Sequence, residues 1–240
     1  MNIQSALSIF SSSNVAALYG ASQGERSQPA QQKPVEAVAR EVDSARVQLS
    51  AFGQVQSAAA NVQSTSQNLQ DAEQLSSVTD TRKAAEAFVQ SFNEQRAALA
   101  KAGSQDDSGR AMLASAQMQG LTNEMRTAFA DAGISVSKDG TLSVDAKALE
   151  SAYNANPTAV TRALGEVGRA AEVTATRQLS ESGSVGAAMK AAENRVERLE
   201  TRQNAVQFSN EVAQRATEAA TQRYGFGAFG AGAYLGIFGL

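Results

Sequence analysis

The clearest pattern in the chain begins at Val35. Val35, Val38, Val42, Ala45, Leu49 and Phe52 follow one another at steps of 3, 4, 3, 4 and 3, the alternation of a coiled-coil seam. After a slip near Gly53 the seam resumes at Val55, Ala59, Val62 and Leu69. Gln, Ser, Asn and charged residues fill most of the positions between. The spacing predicts one long helix over about residues 35–75, with Gly53 as the place for a bend. Such an edge packs on another long helix of the same chain or on a neighbouring subunit. Spacing alone does not choose between the two.

A break is expected over residues 76–81, with Asp80 or Thr81 capping the next helix and Glu86 in its early turns. That helix places Ala84, Ala85, Phe88, Val89, Phe92 and Leu99 on one face and stops near Gly103. The loop GSQDDSG (residues 103–109) is polar. A helix over about residues 110–131 follows, and Met112, Leu113, Leu121, Met125 and Phe129 are its expected packing positions. The next stretch switches period. Ile134 and Val136 alternate with polar residues, as do Leu142 and Val144, around a turn at Lys138, Asp139 and Gly140. Asp-Gly between two alternating runs predicts a β-hairpin over about residues 134–144, because glycine accepts the positive φ of the turn.

Asp145 is then placed to cap a short helix over residues 146–153. Asn156 caps another, with Pro157 at its first position, where a missing N–H costs nothing. That helix is expected to end near Gly165 or Gly168, a further one to cover residues 169–179, and a loop to follow at residues 182–186. The last long helix is predicted to run to about Arg223. Met189, Val196, Leu199, Val206 and Val212 form its weak seam, interrupted by Gln203 and Asn210. Polar residues at seam positions fix register at some cost in stability.

The expected fold is therefore mainly α, with long N- and C-terminal helices forming a coiled-coil-like bundle around a small helical module that carries one β-hairpin. The expected parts are a flexible N-terminal segment (1–34), an N-terminal long helix (35–80), the module (81–180), a C-terminal long helix (181–223) and a Gly/aromatic tail (224–240). Candidate packing or oligomer contacts are Val35, Val38, Val42, Leu49, Phe52, Val55, Val62 and Leu69 on the first helix, and Val196, Leu199 and Val206 on the last.

Composition narrows the chemistry. The 240 residues include no Cys, His or Trp, which removes disulfides, thiolate nucleophiles, imidazole bases and the common zinc sites. The carboxylates Asp106 and Asp107 lie in a Ser/Gly loop with no base, nucleophile or phosphate-binding glycine motif nearby, so an enzyme is not expected. No cofactor or metal site is expected either. Asp139 and Asp145 offer too few oxygens for calcium, and the EF-hand spacing is absent. With 21 Lys+Arg against 24 Asp+Glu and no basic cluster, nucleic acid is not an expected partner. Leu, Ile, Val and Phe make up just under a fifth of the chain, so the helices carry thin apolar edges. Residues 1–13 lack the basic start and apolar run of a secretory signal. The uncharged run YGFGAFGAGAYLGIFGL after Arg223 holds six glycines. It is short for a membrane span, so a membrane partner is not favoured.

The segment GISVSKDGTLSVDAKALESAYNANPTAVTRAL (residues 133–164) resembles the C-terminal region of flagellar filament-capping proteins, the hook-associated protein 2 family. The elements that carry the likeness are Gly133-Ile134, Asp139-Gly140-Thr141-Leu142, Asp145, Leu149, Asn156-Pro157 and Ala159-Val160. AEAFVQSFNEQ (residues 85–95) is similar to the start of the same region. VQLSAFGQVQSAAANVQ (residues 47–63) is similar to the family's N-terminal helix through Leu49, Ser50, Ala51, Gly53, Ser57 and Ala58. VERLETR (residues 196–202) resembles its closing coiled-coil helix. The likeness is collinear over about residues 35–223. It departs where the family inserts large β-rich plate domains, because Leu75 here passes to Thr81 with almost nothing between. The first 34 residues and the Gly/aromatic tail also have no counterpart.

The resemblance implies a structural, filament-cap-like assembly protein reduced to stalk and base. It implies export to the flagellum or cell exterior without a cleavable signal, self-association into a homo-oligomer, and contact with flagellin or hook-associated proteins. Two other readings fit the residues: a cytoplasmic helical adaptor or export-chaperone-like protein, and a membrane-associated protein anchored by the tail.

Overall fold

The computed structural model describes the backbone of residues 32–237 and the side chains of residues 35–216, 218 and 219. The expected flexible N-terminal segment therefore lies, but for its last three residues, outside the described residues. The elements are α1 (Gln32–Gln70), α2 (Val78–Gly103), α3 (Arg110–Glu124), α4 (Arg126–Asp131), β1 (Ile134–Val136), β2 (Leu142–Val144), α5 (Ala146–Ala155), α6 (Pro157–Leu179) and α7 (Ser184–Ile237). The fold is mainly α with one antiparallel hairpin.

α1 is the axis, and it is continuous through Gly53. α2 runs back along its second half, with Thr65 Oγ1 2.7 Å from Ser91 Oγ and Lys101 Nζ donating to Gln54 Oε1 at 3.1 Å. α6 is antiparallel to the same stretch of α1. Gln63 Nε2 donates to Thr176 Oγ1 at 3.1 Å, and Gln67 and Gln70 donate to the Glu172 carboxylate at 2.8 and 2.7 Å. α7 then continues in the direction of α6, along the first half of α1. The two halves of α1 thus have different neighbours, a base module on one side and a two-helix stalk on the other.

The base core is thick. Phe52, Val55 and Leu69 of α1 meet Phe88, Phe92 and Leu99 of α2, Met118 of α3, Phe129 of α4, Leu142 of β2, Leu149 of α5 and Leu164 and Val167 of α6. The Phe88 ring lies 5.8 Å from Phe92 and 6.5 Å from Phe129, centroid to centroid.

Several helix ends differ from the sequence reading. Ser77, not Asp80 or Thr81, caps α2. Its Oγ accepts from the Asp80 N–H at 3.1 Å, which relieves one of the first unpaired amides, and donates to Asp80 Oδ2 at 2.6 Å. Thr81 is buried and donates to the Leu75 carbonyl instead. The helix expected over residues 110–131 is two helices separated at Met125. Met112 and Leu113 do not pack on α2: they are 75% and 54% exposed, and Ala111, Ala114, Met118 and Leu121 form the buried edge. Small alanines at 111 and 114 let α3 approach closely, which turns its bulkier neighbours outward.

Gly165 and Gly168 do not end a helix, because α6 is continuous from Pro157 to Leu179. A Cβ at Gly168 would lie 2.5 Å from the Ser66 carbonyl oxygen, so this glycine permits the close approach of α6 to α1. The Asp145 and Asn156 caps stand where the sequence puts them. Asp145 Oδ1 accepts from the N–H groups of Lys147 and Ala148, and Asn156 Oδ1 from Ala159. α7 runs past Arg223 to Ile237, so the described part of the Gly/aromatic tail continues the helix.

Candidate assembly interface

The seam residues of α1 are brought together with partners inside the chain. Val38, Val42, Phe52, Val55, Val62 and Leu69 are buried, and Val35 and Leu49 are half-buried. Phe52 and the residues after it face the base. Among the described residues, Val38, Val42 and Ala45 face α7 alone. Across the stalk, Val196, Leu199 and Val206 are half-buried, as are Gln203, Asn210 and Ala213 at the same 3/4 spacing. Val212 is not on this edge. It is 48% exposed and lies on the opposite side of α7.

Polar pairs set the stalk register. Arg46 Nη2 meets Glu200 Oε1 at 2.7 Å, Arg202 Nη1 meets Glu41 Oε2 at 3.6 Å, and Arg195 Nη1 donates to Gln48 Oε1 at 3.3 Å. All these charges are substantially solvent-exposed, so the pairs guide alignment more than they add stability. Extending the register sets Gln32, the first residue of α1, opposite roughly residue 212. The helical backbone of α7 extends about 25 residues further, some 37 Å at 1.5 Å per residue.

At the other end of the molecule the hairpin is clasped onto α2. Ile134 pairs with Val144, Ser135 with Ser143 and Val136 with Leu142. Ser137 N donates to the Thr141 carbonyl, and Gly140 sits at φ 82° in the turn between them. Asn93 of α2 acts as a third strand. Its amide accepts from Leu142 N at 3.0 Å and donates to the Leu142 carbonyl at 2.8 Å. Arg96 donates to the Asp139 carbonyl and, at 3.2 Å, to Thr141 Oγ1. The Asp139 carboxylate accepts from the Ser137 hydroxyl and from the Thr141 amide and hydroxyl. Those bonds from Ser137 and Thr141, with a smaller effect of the Arg96 charge, lower its pKa to about 2. Lys138, in the same turn, is exposed.

The acidic loop is structural in the same way. Burial works to raise the Asp106 pKa. The Ser108 hydroxyl and the amides of Ala111, Ser108 and Arg110 outweigh it and hold the carboxyl below its ordinary range. Asp106 thereby ties down the first turn of α3. Asp107 is almost fully exposed and lies 3.9 Å from Arg195. The two carboxylates turn to different partners.

Two features have no sequence signal of their own. Gln95 and Gln178 are each 1% exposed. Gln95 Nε2 donates to Gln178 Oε1 at 2.7 Å, and Gln178 Nε2 donates to the Ala114 carbonyl at 3.0 Å. This polar link joins α2, α6 and α3 in the middle of an apolar core. Glutamine reads as surface in any hydropathy pattern, and only its position on the Phe88–Phe92–Leu99 face of α2 hints at burial. The second feature is Phe208, 68% exposed on α7.

Among the described residues no helix is long and apolar enough to cross a membrane, and no cluster of three or more acidic side chains is arranged to hold a metal ion. Comparisons with protein-family models, curated proteins and solved structures give no match.

Proposed function

We propose that the chain is a non-enzymatic assembly protein of the flagellum or a related surface appendage, a reduced relative of the filament cap that retains stalk and base. The observation that carries this reading is the joining of regions near both ends of the chain in one antiparallel stalk, rooted in a base that bears the clasped hairpin. α1 passes to α2 through residues 71–77 alone, the point at which the capping proteins that the sequence resembles insert their plate. The functional groups of such a protein are faces rather than reactive side chains. The polar atoms of Asp106, Asp139 and Asn93 already hold turns and edges in place. Partners on this reading are further copies of the chain and flagellin or hook-associated proteins.

The test is localisation of the tagged chain with and without a working flagellar export apparatus. The expected result is appearance at the appendage or in the medium, lost when export is disabled. Retention inside the cell under both conditions would replace this reading with that of a cytoplasmic adaptor. Membrane fractionation that depends on residues 224–240 would replace it with the anchored form.

A further inference from the structure

We propose that Asp139-Gly140 is a latent isoaspartate site, silent while the hairpin turn is closed on α2 and converted when the turn opens. The proposal is independent of the assembly reading above.

Asp139-Gly140 is the one place in the 240 residues where Asp or Asn precedes Gly. Glycine lacks the Cβ that shields a backbone nitrogen. Where the chain is free to move, the Gly140 nitrogen can therefore attack the side-chain carboxyl carbon of Asp139. The new C–N bond closes a succinimide ring. The protonated carboxyl loses its OH, which leaves with the nitrogen's proton as water. Water then adds back to one of the two ring carbonyls. Opening at the original main-chain carbonyl leaves the chain running through Cβ and Cγ of Asp139, one carbon longer, with the old carbonyl as a free carboxylate. No reactant other than water takes part.

The closed turn blocks both partners in the first step. The nucleophile is engaged, because the Gly140 N–H donates to the Ser137 carbonyl at 2.9 Å. The electrophile is held in its poorer, ionised form. The Asp139 carboxylate accepts from the Ser137 hydroxyl, from Thr141 N at 3.1 Å and from Thr141 Oγ1 at 2.8 Å, and such bonds favour the anion over the acid. Ring closure has to turn the carboxyl away from all three. α2 holds the frame around them. Arg96 donates to the Asp139 carbonyl and to Thr141 Oγ1, and Asn93 takes both outer backbone groups of Leu142. A Cβ at Gly140 would lie 3.4 Å from the Arg96 guanidinium.

The guard is local. Ser137, Lys138 and Asp139 are exposed, and the strands behind them are three residues each. The turn can thus open without uncovering the base, at a frequency set by these few bonds. Conversion is a one-way record of that opening. The carbonyl that Arg96 holds leaves the main chain, so the original bonding does not re-form.

The test holds the full chain in mildly acidic buffer, folded or unfolded in urea, and counts isoaspartate at residue 139 by peptide mass spectrometry and enzymatic isoaspartyl methylation. The folded chain is expected to convert at least about 10-fold more slowly than the unfolded one. Ser137→Ala with Thr141→Val removes both hydroxyls from the carboxylate. It is expected to convert about 10-fold faster than the parent when folded, and at the parent's rate in urea. Conversion of the folded parent at its unfolded rate overturns the proposal. So does a double variant that still unfolds cooperatively yet converts no faster than the parent. Should the double variant not unfold cooperatively, Arg96→Gln takes its place: it frees the frame, leaves the carboxylate's partners intact, and is expected to speed conversion by a smaller factor, with no change again overturning the proposal.

Discussion

The two halves of α1 carry the same seam and meet different neighbours. After Phe52 the seam is enclosed by α2 and α6, and the side chains it meets, such as Phe88, Phe92, Leu164 and Val167, are themselves fully buried. Before Phe52 the valines meet one helix among the described residues, and the partner residues Val196, Leu199 and Val206 remain half-open to water. A heptad pattern states that an edge will be covered. What covers it, and how deeply, comes from residues far away in the chain. The base is held by aromatic volume and by polar links that leave few alternatives. The stalk is held by thin apolar contact and exposed ion pairs, and should open first.

The largest expected effect is in the base. Phe92→Ala removes a ring with no exposure beside Phe88 and should cost about 3–5 kcal/mol in denaturant unfolding. Val42→Ala in the stalk should cost only about 1.5 kcal/mol. A comparable loss for the two would mean that the stalk valine is as tightly packed as the base ring. Next comes the polar link. Gln95→Leu strands the Gln178 carbonyl oxygen in the core and should destabilise by roughly 1–3 kcal/mol, whereas Gln95→Leu combined with Gln178→Leu should recover much of that loss. Additive losses would show that the link itself stabilises the base.

Two glycines of the central bundle sharpen the comparison further. Gly168→Ala drives a Cβ into the Ser66 carbonyl and should destabilise by about 1–3 kcal/mol. Gly53→Ala has nothing within 4 Å and should stabilise α1 by about 0.5–1 kcal/mol. The smallest effect follows pH. The Asp139 pKa is depressed in the folded state, so its contribution is present above the ordinary value of 3.8 and is lost as pH falls toward about 2. The protection factors of the hairpin amides should therefore fall over that window while those of the stalk amides do not respond to this group. Asp139→Asn should abolish the hairpin's own pH step.

Much of this is legible in the amino-acid sequence itself. Asp139-Gly140 between alternating runs, Asp145 and Asn156-Pro157 act through local chemistry, and local chemistry stays in the sequence. The elements that escaped depend on distant partners. Gly165 and Gly168 read as a stop because glycine ends helices more often than it packs them. α6 runs through them because α1 lies against that face. Met112 and Leu113 read as core because they are large, while close packing selected Ala111 and Ala114. Val212 read as seam because it is apolar, yet the 3/4 step from Val206 lands on Asn210 and Ala213. The error is informative, since it leaves Val212 beside Phe208 on an outer face that, among the described residues, no element of the base or of α1 covers.

The central claim is that the two long helices pair antiparallel within a single chain. The most direct measurement is a distance between spin labels at residues 46 and 200, taken on labelled protein diluted into an excess of unlabelled chain. The account predicts a short separation, set by helix axes about 8–10 Å apart, that survives dilution. A short distance that vanishes on dilution, or a long one throughout, would contradict it.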